Sequence, residues 1–359
     1  MATPFDTDYD RDGQNSAAVK GNKSVGARNS RCPEWFWSRL ARLEARTGPL
    51  ISSRDDTKGQ QMAITVGSGE YRYELVEGWG QLPDGWEFTQ VGAVAVDDNN
   101  DEVYVFCRGE HPIIVFDKDG NFIRSFGEGH FPSAHGICWG ENDTVWLVDS
   151  ADHTVKQFTK AGEHIITLGT KGTEGADGQP FNRPTDAAVA PNGDLYISDG
   201  YGNTKVHVYS QSGDYKFGWG QEGHRTGLNP TGTGVGDGDF NTPHNIWVHE
   251  DTVYVADREN HRVQLFDLQG NHKENWTDFI QPTDIYIDPR FPDTVYVGEL
   301  RNRMSIANAK GEVQSRWGRF MTDDPGQFYA VHGIWSDSEQ SLYCGEVLEG
   351  QRIQKFRRI

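Results

Sequence analysis

From Tyr71 to the C-terminus, apolar residues fall in short runs of strand length, punctuated by D-x-x-G and N-G turns. The runs repeat. Segments opening at Val91 (VGAVAVD), His135 (HGICWG), Thr185 (TDAAVA), His244 (HNIWVH), Thr283 (TDIYID) and His332 (HGIWSD) align, at separations of 44, 50, 59, 39 and 49 residues. A second apolar run follows each as DEVYVFC, DTVWLVD, GDLYISD, DTVYVAD, DTVYVGE and QSLYCGE, and a third as IIVFD, VKQFT, VHVYS, VQLFD, MSIAN and IQKFR. A glycine turn and a more polar strand complete five of the six copies: GNFIRSFG, GEHIITLG, GDYKFGWG, GNHKENW and GEVQSRWG.

Four short strands every ~40–50 residues is the period of a propeller blade. The pattern therefore predicts an all-β chain, a six-bladed β-propeller over about 70–359. The sixth copy ends at Ile359 without its outer strand, and the segment YRYELVEGWG supplies it. A strand over 71–79 then closes the ring and removes two sheet edges. Residues 1–69 form an N-terminal arm, polar at first, with one short amphipathic helix at about 33–47 opened by Pro33 and ended by Gly48. Trp35, Phe36 and Trp37 on that arm offer a way to clasp a second copy of the chain.

Composition agrees with many strands and turns: 42 glycines and 12% aromatic residues, against only 35% hydrophobic residues overall. A formal net charge of −19 repels phosphate backbones and argues against a nucleic-acid partner. No run approaches the ~18 apolar residues of a spanning helix, and the first thirty residues lack the apolar stretch of a secretory signal. No membrane partner and a cytoplasmic location are expected. Cys32, Cys107, Cys138 and Cys344 are widely spaced, without a C-x-x-C pair, in keeping with a reducing compartment.

The chemistry sits on the register. In a propeller the first strand of each blade lines the central channel, and alternate blades stand at roughly threefold positions. His135, His244 and His332 open the second, fourth and sixth copies, so their imidazoles converge. Three neutral imidazoles with an open fourth side make a catalytic metal site, for Zn2+ or another divalent transition metal. The remaining nine histidines show no such register and are expected in solvent or in local hydrogen bonds. Thr185-Asp186 and Thr283-Asp284 take the equivalent places in two odd copies, and their carboxylates are candidates either to orient the imidazoles from behind or to serve structurally in strand-end turns. Where the second run ends, Arg108, Tyr201 and Arg258 come to the channel mouth. Arginines suit a substrate carboxylate, and a phenol beside a dication can serve as a base.

The segments PTDAAVAPNGDLYISDGYGNTKV, TPHNIWVHEDTVYVADRENHRVQLFD and VFCRGEH resemble peptidyl-α-hydroxyglycine α-amidating lyase, an NHL-repeat six-bladed propeller with a catalytic zinc on three histidines. The resemblance covers roughly 80–359. It implies that His135, His244 and His332 are the zinc ligands, Tyr201 the base, and Arg108 and Arg258 the active-site arginines. The chain also departs from the family. Gly202, Tyr254 and Leu265 stand where the family has disulfide cysteines. Gly333 replaces an acidic residue associated with a structural Ca2+, which leaves calcium without that ligand. The glycine-rich loop 220–241 resembles no phosphate-binding loop and is a candidate either for a rim or lid over the channel or for a plain solvent loop.

The expected activity is a metal-dependent lyase that breaks the C–N bond of a carbinolamide, in a small molecule or short peptide carrying a carboxylate. Tyr201 would take the hydroxyl proton, with Arg108 or Arg258 on the carboxylate. A metal-dependent hydrolase, lactonase or amidase, is the alternative on the same three histidines. A non-catalytic NHL interaction scaffold is the third reading.

Overall fold

The computed structural model describes residues 63–175, 181–223, 236–319 and 321–359. The expected helix at 33–47, the aromatic arm and Cys32 lie outside the described residues, as does most of the loop 220–241. The ends of that loop are joined by a short parallel pair, Gln221–Glu222 with Asp239–Phe240.

Six antiparallel sheets surround one axis, as the repeat predicts. Blade 1 comprises Gln90–Asp97, Glu102–Arg108, Ile113–Asp117 and Phe122–Phe126. Blade 2 is Ala134–Trp139, Thr144–Asp149, Thr154–Thr159 and His164–Gly169. Blade 3 is Asp186–Val189, Asp194–Asp199, Lys205–Ser210 and Tyr215–Trp219. Blade 4 is Pro243–His249, Thr252–Asp257, Arg262–Asp267 and His272–Trp276. Blade 5 is Pro282–Ile287, Val295–Glu299, Arg303–Ala307 and Val313–Trp317. The first strand of each blade packs beside the next, and Val331–Ser336 of blade 6 returns to Gln90–Asp97 of blade 1.

Blade 6 carries the closure. Tyr71–Val76 pairs antiparallel with Ile353–Arg358, and Thr65–Ser68 adds a fifth strand outside it. The predicted N-terminal strand is thus present, with one more strand than the sequence pattern showed. Tyr73, fully buried, stacks on Trp317 of blade 5 at 5.7 Å between ring centroids, so the closing strand also seals a blade interface.

The core follows the repeat. The aromatic residue of each second strand, Tyr104, Trp146, Tyr196, Tyr254, Tyr296 and Tyr343, is buried between blades. Burying each such ring stabilises the fold by about 1.5–3 kcal/mol in transfer terms. The same strands end in a buried acid in five blades: Asp149, Asp199, Asp257, Glu299 and Glu346. Each accepts the backbone N–H of the segment entering its own blade, from Ser133, Asn182, Asn241, Ile280 and Tyr329 at 2.5–3.1 Å. These carboxylates fix how the chain enters the channel strand just before the ring of histidines and threonines. In blade 1 Cys107 stands at the acid's place.

Candidate metal centre

The channel strands are irregular where the chemistry sits. In blades 1, 2, 4, 5 and 6 the ladder slips by a bulge at Gly92, His135-Gly136, His244, Thr283 and His332. A bulge leaves its residue outside the regular pairing and re-aims the side chain. The even blades use it to turn an imidazole into the channel, and blades 1 and 5 to present a carbonyl; in blade 3 the Thr185 carbonyl lies just before the regular strand Asp186–Val189.

Each histidine is held by the odd blade that follows. His135 Nδ1 lies 2.5 Å from the Thr185 carbonyl, His244 Nδ1 2.8 Å from that of Thr283, and His332 Nδ1 2.7 Å from that of Gly92. A carbonyl only accepts, so Nδ1 carries the proton in all three rings and Nε2 keeps its lone pair. Thr185 and Thr283 also donate from Oγ1 to the carbonyls of Pro243 and Val331, each 2.8 Å away and just before the next histidine. Threonine at these two places therefore ties three successive even blades together.

The three imidazoles are buried and mutually edge-on, with ring centroids 4.7–4.8 Å apart. One ligand nitrogen from each lies within 4.8 Å of the others. Burial first, and then the neighbouring imidazoles and positive arginines, push His135 and His244 well below the usual imidazole value, while burial and the arginines push His332 down to about 3. All three are neutral, the form a metal requires. The Nε2 of His332 is buried without a hydrogen-bond partner among the described residues. A buried lone pair costs about 1–3 kcal/mol when unsatisfied. The donor set thus fits a small divalent cation.

The residues singled out at the mouth come together with the ring. The Tyr201 hydroxyl lies 2.9 Å from His135 Nε2 and 3.0 Å from His244 Nε2, and Arg258 donates to it at 3.3 Å. Arg258 and Arg183 also stand over the Tyr201 ring, 5.4 and 5.2 Å from its centroid. Arg108 is braced by the Ala134 carbonyl at 3.1 Å and the Gln90 side chain at 2.9 Å, next to His135 in the chain.

Two expectations are corrected. Asp186 and Asp284 do not orient the imidazoles, because the carbonyls of Thr185 and Thr283 do so. The carboxylates point further down the channel, where Asn245 Nδ2 bridges them at 2.5 and 2.6 Å and the N–H of Ile334 meets Asp284 at 2.6 Å. A side chain at Gly136 would collide with Asp186, and one at Gly333 with the backbone of Ala93, so both positions after a histidine must stay small. Desolvation raises the Asp186 carboxyl to about 8 and that of Asp284 well above its usual value. The three histidines, the two carboxylates, Trp247, Tyr286 and Trp335 line one channel cavity of about 20 Å3.

Second, His153 and His261 are locally hydrogen-bonded as expected, but they do share a register. They occupy equivalent left-handed turns of blades 2 and 4, and Nδ1 of each accepts the backbone N–H of Arg183 or Gln281 at 3.0 Å.

An NHL repeat model matches residues 181–209, the channel strand, second strand and most of the third strand of blade 3. Human NHL repeat-containing protein 3 is 34% identical over 217 residues, covering 57% of this chain and 59% of that protein. Peptidyl-alpha-hydroxyglycine alpha-amidating lyase 1 of Drosophila melanogaster is 34% identical over 183 residues, 47% of this chain and 32% of that protein. The chain is a six-bladed β-propeller with one stretch matching an NHL repeat, and about half of it is similar to an amidating lyase. It spans less than two thirds of the length of these relatives. Virginiamycin B lyase from Staphylococcus aureus shares the fold, with a TM-score of 0.52 at 14% identity over 81% of this chain and 88% of that one.

This amidating-lyase-like propeller has mouth residues that sequence reasoning passed over. Glu259 follows Arg258 in DREN and was open to notice. Arg183 and Gln281 occupy one aligned place, RPTD and QPTD, a signal present in the repeat itself. The carbonyls of Thr185, Thr283 and Gly92 leave no mark in side-chain chemistry.

Proposed function

We propose that this chain is a metal-dependent lyase that cleaves the C–N bond of a carbinolamide such as an N-acyl or peptidyl α-hydroxyglycine. The observation that carries the reading is the Tyr201 hydroxyl, within 3.0 Å of two ring nitrogens whose lone pairs face the channel and within 3.3 Å of Arg258. A proton-moving group, an open set of neutral imidazoles and a guanidinium share one spot. The Drosophila relative's name, an amidating lyase, supports the same chemistry.

His135, His244 and His332 would hold the metal, for which zinc is our proposal. When bound it supplies Lewis acidity toward the substrate hydroxyl oxygen. Tyr201 takes the hydroxyl proton and returns it to the departing nitrogen. The electron pair of the O–H bond becomes the second bond of a carbonyl as the C–N bond breaks, so no water is consumed. Arg108, braced by Ala134 and Gln90, holds the substrate carboxylate, and Arg258 keeps Tyr201 on the reacting oxygen.

The zinc-loaded protein, incubated with an N-acyl-α-hydroxyglycine in 18O-labelled water, should release glyoxylate, whose aldehyde oxygen exchanges with water by itself, and a primary amide free of label, which is the diagnostic product. Release of an acyl acid carrying the label would make the same site a hydrolase. Absence of stoichiometric metal and of any turnover would leave the scaffold reading.

A further inference from the structure

Arg258 does not reach Tyr201 unaided. Its Nε donates to Glu259 Oε1 at 2.8 Å, while its NH1 donates to the Tyr201 hydroxyl. Glu259 Oε2 accepts from Gln281 Nε2 at 2.8 Å, and Gln281 Oε1 accepts from Arg301 Nε at 2.6 Å. The chain of contacts runs from the rim of blade 5 to the hydroxyl over the histidines.

Both ends are anchored in backbone. Arg258 and Glu259 belong to the one-turn 3-10 helix Arg258–Asn260, and their N–H groups donate to Thr242 and Asn241 at 3.1 Å. Gln281 sits at a left-handed φ of 49°, where its N–H meets His261 Nδ1 and its carbonyl accepts from Leu300. These bonds fix the backbone from which each side chain projects. Burial by itself would raise the Glu259 carboxyl, but Arg258 and Gln281 hold it below its usual value, so it is an anion facing the guanidinium.

We propose that Glu259 is the positioning residue of the site: it fixes the guanidinium plane of Arg258 so that one N–H is aimed at Tyr201, and Gln281, backed by Arg301, fixes Glu259. The carboxylate of Glu259 spends its two oxygens on Arg258 and Gln281, so its effect on Tyr201 passes through Arg258. The inference deepens the lyase reading and rests on it for its effect on turnover. The geometry of Arg258 itself is independent of that reading.

The polarity of the chain supplies the test. In Glu259→Gln the new amide nitrogen faces the Gln281 amide nitrogen, two donors with no acceptor between them. Adding Gln281→Glu restores every donor and acceptor. The new amide at position 259 would accept from Arg258 and donate to the carboxylate at position 281, which still accepts from Arg301. Two quantities are measured for wild type, the single variant and the double variant. One is hydrogen exchange of the Arg258 Nε–H by 15N NMR in the metal-free protein, with the signal assigned by its loss in Arg258→Lys. The other is kcat and KM of the zinc-loaded protein on an N-acyl-α-hydroxyglycine.

The expected result is that Glu259→Gln speeds exchange at Arg258 at least tenfold and lowers kcat at least tenfold with KM changed less than threefold. The double variant should recover both, at an unchanged melting temperature. Unaltered exchange and kcat in Glu259→Gln would overturn the proposal, as would an Arg258 Nε–H already unprotected in wild type. Failure of the double variant to recover either quantity would overturn it as well. If wild type does not turn over the probe, the lyase reading fails while the exchange measurement still decides the role of Glu259.

Discussion

His332 Nδ1 donates to the carbonyl oxygen of Gly92 across 240 residues of sequence, at 2.7 Å. That bond joins the last channel strand to the first, so closing the propeller also completes the ring of three histidines. Two imidazoles are oriented by the blade that follows them in the chain, whereas the third is oriented only when the ring shuts.

Metal binding should therefore report on this histidine. His332→Ala is expected to lose at least 100-fold in Zn2+ affinity, read by chelator competition. Adding Zn2+ at about 100 times the wild-type Kd should stabilise wild type by about 2.7 kcal/mol and leave the variant's melting temperature nearly unchanged. Equal stabilisation of both proteins would remove His332 from the site.

Tyr201→Phe separates holding the metal from moving the proton. The phenyl ring keeps the packing under Arg183 and Arg258 and loses only the hydroxyl that meets His135 and His244. Metal content should stay at one per chain while kcat on an N-acyl-α-hydroxyglycine falls about 10²-fold or more. A variant with wild-type kcat would show that another group moves the proton.

The channel carboxylates set a pH dependence with a definite sign. Desolvation raises the Asp186 carboxyl from 3.8 to about 8 in the folded protein. The folded state binds the extra proton, so this group's contribution to stability is present below pH 3.8 and is lost as pH rises towards 8. Asp186→Asn removes the dependence and keeps an oxygen for Asn245. In metal-free protein, the variant's stability relative to wild type should rise from pH 4 to pH 8 by more than about 1 kcal/mol, by denaturant titration. Wild type and variant share the depressed histidines, whose opposite effect cancels in the difference. A difference flat with pH would mean that Asp186 is ionised throughout.

Closure has its own handle at the strand Tyr71–Val76. Tyr73 is fully buried and stacks on Trp317, so Tyr73→Ala should destabilise the fold by about 3–5 kcal/mol in a single cooperative unfolding transition. A loss under about 1 kcal/mol would show that the ring is held shut without this strand.

The six aligned strand openings made the fold readable from the sequence, because blades reuse one pattern of apolar spacing and turn glycines. The register of His135, His244 and His332 in alternate copies was readable for the same reason, and so were Arg108, Tyr201 and Arg258 at the following turns. By itself the sequence determined which residues face the axis and at which end. Only the tertiary structure decided what holds them. The imidazoles rest on the carbonyls of Thr185, Thr283 and Gly92, and backbone oxygens are present at every position whatever the residue. Whether a carbonyl is free to accept depends on where regular pairing lapses, at a bulge or just before the strand, and on which blade lies beside it, and both follow from packing. The same holds for Glu259 and Gln281, ordinary in the chain and joined only because blades 4 and 5 stand side by side.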